Sequence, residues 1–243
     1  RRTSAEAAVL DAVPVYQLYA IPARDACAAH SRGGFANSTD YLNWIDRIIE
    51  ALSSDAVIAV EADAIAHAVG SSCMSEQQQN DRYALLKQAI MRLSHASRVT
   101  AIYLDAGHPE WLPNPADLVR PLQQSGVEYT RGIAVNVSFF TETNTAAAWS
   151  QKLLQLLGGE KAAIIDTSRN GRGVYGGQGD ARWCNPPGRG VGLAPTTQTG
   201  LAGIDAYFWG KNIGESDGDC GGYPAAGVFV PKIALELARN ARQ

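Results

Sequence analysis

Five apolar residues, Ala56 to Val60, run directly into Glu61 and Asp63 with Ala62 between them. The same ending recurs along the chain: Asp25 follows "YAIPAR", Asp105 follows "IYL", Asp166 follows "AAII", and Glu215 and Asp217 lie beyond the last apolar run. In a parallel sheet the carboxyl ends of the strands share one face, so these acids converge. Crowding of like charge and partial burial then push their pKa values apart. One acid stays protonated near neutral pH while its neighbours ionise, which is what acid-catalysed cleavage of an acetal needs. A single Asp at a strand end is ordinarily a helix cap or turn former. Five such places together argue for shared chemistry.

Other chemistries fit less well. Asp105-x-x-His108 could contribute metal ligands, but His30, His67 and His95 add no ligand spacing, so no metal and no cofactor is expected. No G-x-S-x-G nucleophile turn is present. The partial G-x-G of "PPGRGVG" (186–192) does not open a helix directly after a strand, which makes it a poor dinucleotide site. Tyr19, Trp111, Trp183 and Trp209 lie near the same strand ends or loops as the acids. Flat aromatic faces stack on the apolar C–H faces of pyranose rings, so their shared location with carboxylates points to sugar.

Six runs rich in β-branched residues must carry these groups: 13–21, 55–63, 98–107, 131–140, 161–168 and 203–211. Between them, "STDYLNWIDRIIEALSS", "SEQQQNDRYALLKQAIMRLSH" and "TAAAWSQKLLQLLGG" repeat apolar residues at helical spacing, and "PKIALELARNARQ" closes the chain. Strand and helix in alternation predict an α/β fold with a parallel sheet, either doubly wound or closed as a barrel. Both place a site at the carboxyl ends of the strands. One domain over 1–243 is expected. The irregular stretch 169–200, rich in Gly and Pro, is read as a functional loop.

Composition narrows the partners. A formal net charge of -3 over 243 residues gives no basic excess for a phosphate backbone, so no nucleic acid is expected. No apolar run approaches the roughly 18 residues of a membrane span, and the opening "RRTSAEAAVLDAV" lacks a signal-peptide core, so the chain reads as mature or trimmed. Cys27, Cys73, Cys184 and Cys220 show no C-x-x-C pair; two disulfides in an exported protein and four buried thiols both remain open. Asn37 and Asn136 stand in glycosylation sequons.

The motifs in combination resemble the family 6 glycoside hydrolases, cellulases that cut β-1,4-glucan with inversion. "YAIPARDACAAHSRGG" is similar to the family's segment with a Tyr, an Arg-Asp and a Cys, "VEADAIAH" to its Glu-Pro-Asp motif, and "YLDAGHPEWL" to its Asp-Ala-Gly-His…Trp motif. "IDTSRNG", "RWCNPPGRGVG" and "WGKNIGESDG" follow in order.

The resemblance implies a distorted parallel (β/α) barrel of the family type, with the first strand missing upstream of this chain. It implies that Asp63 is the general acid, that Asp25 is a second carboxylate tuning it and relaying protons through water, and that Asp217 stands at the position proposed for the base. Tyr19 matches the tyrosine beside the distorted sugar and Ser31 the water-holding serine, with Ala26 inserted before Cys27. Asp105, His108, Trp111, Asn136, Trp183, Lys211 and Glu215 match substrate-binding positions. Cys27 is then paired with Cys73 and Cys184 with Cys220, and a secreted, extracellular protein follows. Cellulose or β-glucan is the implied partner, and a monomer is expected unless another chain completes the barrel. Short segments at "NVSFFTETNTAAAW" and "ESDGDCGGYPAAGVFVPK" imply an open cleft and endo action. An exo-acting cellobiohydrolase, or a carbohydrate-binding relative without full activity, is the alternative. The family has Pro where this chain has Ala62, a change expected to loosen the acid's backbone.

Overall fold

A computed structural model describes residues 2–25, 27, 31–70 and 73–241. Ala26 and His30 lie outside the described residues. In chain order the elements are α1 (Arg2–Val9), β1 (Val15–Gln17), α2 (Ser38–Ala51), β2 (Ala56–Val60), α3 (Ala64–Gly70), α4 (Glu76–Ser94), β3 (Val99–Asp105), α5 (Val119–Gln124), β4 (Gly132–Val135), α6 (Thr143–Leu157), β5 (Ala162–Asp166), β6 (Ile204–Phe208) and α7 (Pro231–Arg239). Each of the six strands falls inside one of the apolar runs.

The strands pair in the order β1-β2-β3-β4-β5-β6, and every neighbouring pair is parallel. That order is the order of a (β/α) barrel and not of a doubly wound sheet, whose strand order reverses at a switch point. One row of residues crosses the sheet through Val60, Leu104, Ile133, Ala163 and Ile204, all turned into the core beneath the helices. The opposite face carries Ala59, Tyr103, Ala134, Ile164 and Phe208 in a second, smaller cluster. At Gly132 a Cβ would stand 1.7 Å from the Ala162 carbonyl oxygen, so only glycine fits the approach of β4 to β5.

The helices form where caps and apolar spacing coincide. The Asn37 side chain accepts the Asp40 N–H at 2.9 Å to start α2, and Ser75 and Gln78 form a capping box that starts α4. Helix α2 buries Tyr41, Leu42 and Ile45, and α4 buries Leu85, Leu86, Ala89, Ile90 and Leu93. In α6 the buried Trp149 donates its indole N–H to the Leu112 carbonyl at 2.9 Å, fixing the loop after β3. No described helix is long and apolar enough to cross a membrane.

Two disulfides, Cys27–Cys73 and Cys184–Cys220, have the pairing that the resemblance implied. The sequon at Asn136 is a different matter. Its side chain is fully buried and saturated by Thr141 and the Asp166 carbonyl, so no glycan can attach to the folded chain there. The "PPGRGVG" segment opens no helix; it docks α7, with Val191 N–H on the Leu237 carbonyl and the Glu236 carboxylate on Gly188 N–H.

Candidate active site

The acids at the strand ends divide into two groups with different work. Glu61, Asp105 and Asp166 are fully buried and accept backbone N–H groups from the loops on either side. Glu61 Oε2 takes Ala20 and Ile21 at 2.8 and 2.9 Å, clamping the loop after β1 to β2. Asp105 Oδ1 takes Asp63 and Gly107, both at 3.0 Å. Asp166 takes Ser138 at 2.9 Å and Ser168 at 2.7 Å, joining the loops after β4 and β5. Burial raises the pKa of all three above the ordinary carboxylate range. They are fasteners for the rim of the sheet.

Asp25, Asp63 and Asp217 instead line a cleft of about 640 Å³ at the carboxyl ends of the strands. Asp63 follows β2 directly and precedes α3, so a strand and a helix both fix it. Its φ of 63° is left-handed, as are those of Glu61 at 51° and Asp25 at 53°. Such backbone costs on the order of 1 kcal/mol at each non-glycine residue and persists where surrounding bonds hold it. Those bonds are Asp63 N–H to Asp105, Ala62 N–H to the Leu18 carbonyl at 3.3 Å, and Glu61 to the β1 loop. The loosening expected from Ala62 in place of Pro is therefore opposed by three separate attachments.

Electrostatics separates the three cleft acids. Burial, with Asp25 adding to it against His67 and Arg169, pushes the Asp63 carboxyl up to about 6. Asp25 is also buried, but hydrogen bonds from His67 and Ser31 outweigh that and hold it below the ordinary value. Its Oδ2 receives the Ser31 N–H at 2.6 Å and hydroxyl at 3.1 Å, while His67 Nε2 lies 3.4 Å from Oδ1. Asp217 is held low, against its burial, by Arg169 and Lys211. The Arg169 guanidinium grips both carboxylate oxygens, at 2.9 and 2.8 Å, and Lys211 Nζ stands 3.4 Å away. One acid is thus poised to hold a proton and two are held ionised.

Tyr19 completes a polar chain. Its hydroxyl is 2.8 Å from Ser31 Oγ, the Arg24 guanidinium lies 4.5 Å over its ring, and burial with Asp63 raises its pKa so that it stays protonated. Trp111, Trp183, His108, Lys211 and Glu215 line the same cleft. His108 stacks on Phe139 with centroids 3.5 Å apart, and burial pulls its pKa down to about 3, leaving a neutral ring. Asp105 is thus bound to backbone N–H groups and His108 is stacked on a neighbouring ring. Two expected substrate contacts are corrected. Asp105 and Asn136 are fully buried behind the cleft wall and shape it from beneath. Trp209, 43% exposed, donates its indole N–H to Leu193 outside the cleft.

Sequence reasoning did not single out His67, Arg169, Phe139 or the Glu110–Arg182 ion pair, which links two cleft-lining loops at 3.0 Å. His67 is four residues after Asp63, one turn into the helix that follows it, a spacing that could have revealed it. The others depend on loop paths that spacing does not show.

A sequence model for glycosyl hydrolases family 6 matches residues 1–241. The chain belongs to glycosyl hydrolase family 6. Among its family 6 relatives, endoglucanase A of Cellulomonas fimi is 42% identical over 229 residues, 94% of this chain and 47% of that protein. The 1,4-beta-D-glucan cellobiohydrolase C of Emericella nidulans is 32% identical over 278 residues, covering 93% of this chain and 61% of its own length. The chain thus spans about half the length of curated relatives such as the Cellulomonas and Thermobispora bispora endoglucanases, 47% and 50%. The solved endoglucanase Cel6 from Mycobacterium tuberculosis, in complex with methyl-cellobiosyl-4-deoxy-4-thio-beta-D-cellobioside, superposes with a TM-score of 0.91 at 42% identity. It covers 98% of this chain and 80% of that one. The family 6 barrel is therefore the fold, here as six parallel strands in sequential order.

Proposed function

We propose that this chain hydrolyses β-1,4-glucosidic bonds of cellulose or a related β-glucan with inversion, cutting internally in an open cleft and acting outside the cell. The observation that carries the reading is the Asp63 carboxyl, pushed up to about 6 between two carboxylates held low. A carboxyl so placed donates a proton to a glycosidic oxygen near neutral pH. Asp63 is the general acid. Asp25 keeps a negative charge beside it and, through Ser31 and Tyr19, offers a hydrogen-bonded path by which the attacking water loses its proton.

Asp217, at the base position, is gripped by Arg169 and Lys211 and so attracts a proton weakly. Its negative charge balances two buried cations and faces the cleft where an oxocarbenium-like centre would develop. Trp111 and Trp183 supply stacking faces for the chain. Names of relatives support the substrate class: those at 42% to 36% identity are endoglucanases, and cellobiohydrolases appear at 32%. The two disulfides suit an extracellular protein.

Proton NMR of cellopentaose hydrolysis tests the reaction. The α-anomer must appear first; first release of the β-anomer contradicts inversion. Rapid viscosity loss in carboxymethyl cellulose supports internal cutting, whereas cellobiose release with little viscosity change favours exo action.

A further inference from the structure

Helix α3 begins immediately after Asp63, and the His67 N–H donates to the Asp63 carbonyl at 2.8 Å. The imidazole therefore lies one helical turn along from the acid's carbonyl, and both side chains line the cleft. It is 4% exposed. Its Nε2 stands 3.4 Å from Asp25 Oδ1, and its ring meets Trp111 edge-on, with centroids 4.8 Å apart and planes at 86°. Helix α3 and the loops after β1 and β3 thus meet at one side chain.

We propose that His67 is a positioning residue, holding the Asp25 carboxylate in place beside Asp63 and coupling that pair to the Trp111 platform. The inference rests on the hydrolase reading above. With Ser31 on Oδ2 and His67 at Oδ1, each Asp25 oxygen has its own partner, so the carboxylate cannot rotate without breaking one contact. The Cys27–Cys73 disulfide reinforces the arrangement, tying the chain just past Asp25 to the chain just past α3 with a Cα–Cα distance of 5.6 Å. Gly70, at the end of α3, leaves room for the Trp111 indole; a Cβ there would come within 2.6 Å of its Nε1.

Charged groups bear on this histidine and its neighbours from several elements. Asp25 faces it from the loop after β1 and Asp63 from the start of its own helix. From α4, Arg82 donates to the Ala64 carbonyl at 3.3 Å and the Ala23 carbonyl at 2.8 Å, bracing the same two segments from behind. Arg169 acts on Asp63 from the loop after β5. This histidine meets both an aromatic ring, Trp111, and the ionised member of the proton-handling pair.

Steady-state hydrolysis of cellohexaose across pH by His67→Leu and His67→Gln tests the proposal. Leucine keeps bulk and removes the donor, so kcat should fall about tenfold, since small misplacements of reacting groups are costly. The acid limb of the profile should move up by roughly half a pH unit as Asp25 loses a partner that favours its charge. KM should stay within about threefold, and glutamine, which restores a donor, should recover most of kcat. An unchanged kcat and pH profile in His67→Leu, or a rise in KM alone, overturns the proposal.

Should both variants misfold, 15N NMR decides: the His67 Nε2 resonance must move between the wild-type chain and Asp25→Asn, and an unmoved resonance overturns the contact. Wild-type hydrolysis measured alongside keeps the two readings apart. Its absence would sink the proposed function, while the NMR comparison would still judge His67.

Discussion

Asp105 accepts the backbone N–H of Asp63 at 3.0 Å with the same oxygen that accepts Gly107. Burial and the neighbouring Asp63 raise the Asp105 pKa well above the ordinary range, and the carboxyl serves the two backbone groups as an acceptor. Asparagine reproduces that acceptor and alanine does not. Asp105→Asn should keep kcat within about fivefold. Asp105→Ala leaves two buried N–H groups unsatisfied and should cost about 2–4 kcal/mol. Urea unfolding and turnover on soluble β-glucan measure both; equal behaviour of the two variants would contradict the acceptor role.

Arg169 and Asp217 form a buried bidentate pair. Removing one member leaves a charge with insufficient compensation, and such losses cost about 3–5 kcal/mol. Arg169→Met should therefore unfold at markedly lower denaturant, and Arg169→Lys should recover part of the loss. A midpoint unchanged in Arg169→Met would show that Lys211 alone suffices for Asp217.

The pH dependence has a definite sign. On the proposed reading protonated Asp63 is the active form, and burial pushes its carboxyl up to about 6, so turnover should decline as pH rises through that value. Folded Asp63 also binds its proton more tightly than the unfolded chain does, so its contribution to stability falls as pH rises from about 4 to 6. Asp25 and Asp217 are shifted down, so the stability they contribute is present above the unfolded value near 4 and is lost as pH falls through their folded values. Thermal melts across pH should show both trends. A basic limb lying well above pH 7 would contradict the assignment of Asp63.

Ala62→Pro tests what holds the acid. Proline would delete the Ala62 N–H bond to Leu18, worth about 1 kcal/mol, and would stiffen the unfolded chain by about 0.4–1 kcal/mol in the opposite direction. Stability should change by less than about 1 kcal/mol and turnover by less than about threefold. A large gain in kcat would show that the three attachments around Asp63 leave it loose after all.

Much of the barrel was legible because each β-branched run of the sequence is a strand and each capped amphipathic segment a helix. The sequential strand order was not, since apolar periodicity records burial and carries no information about which strand pairs with which. Among the acids, position along the chain showed that they sit at strand ends. It could not show that Glu61, Asp105 and Asp166 spend their oxygens on backbone N–H groups while Asp25, Asp63 and Asp217 face the cleft. That division depends on where neighbouring loops fold back. Asn136 and Asp105 were expected at the substrate because the resemblance matched them to substrate-binding positions, and a match of motifs does not show how neighbouring loops bury a side chain. Arg169 was hidden because its partner Asp217 lies far along the chain, and His67 because its role comes from Asp25 on another loop.

The most direct test is reducing-sugar release from unactivated β-glucan by Asp63→Asn beside the wild-type chain, with binding of cellohexaose measured on both. Loss of at least about a thousandfold in turnover with affinity retained is the predicted result, since the amide keeps the shape and cannot donate the proton. Near-normal turnover by Asp63→Asn would contradict the assignment of Asp63 as the general acid.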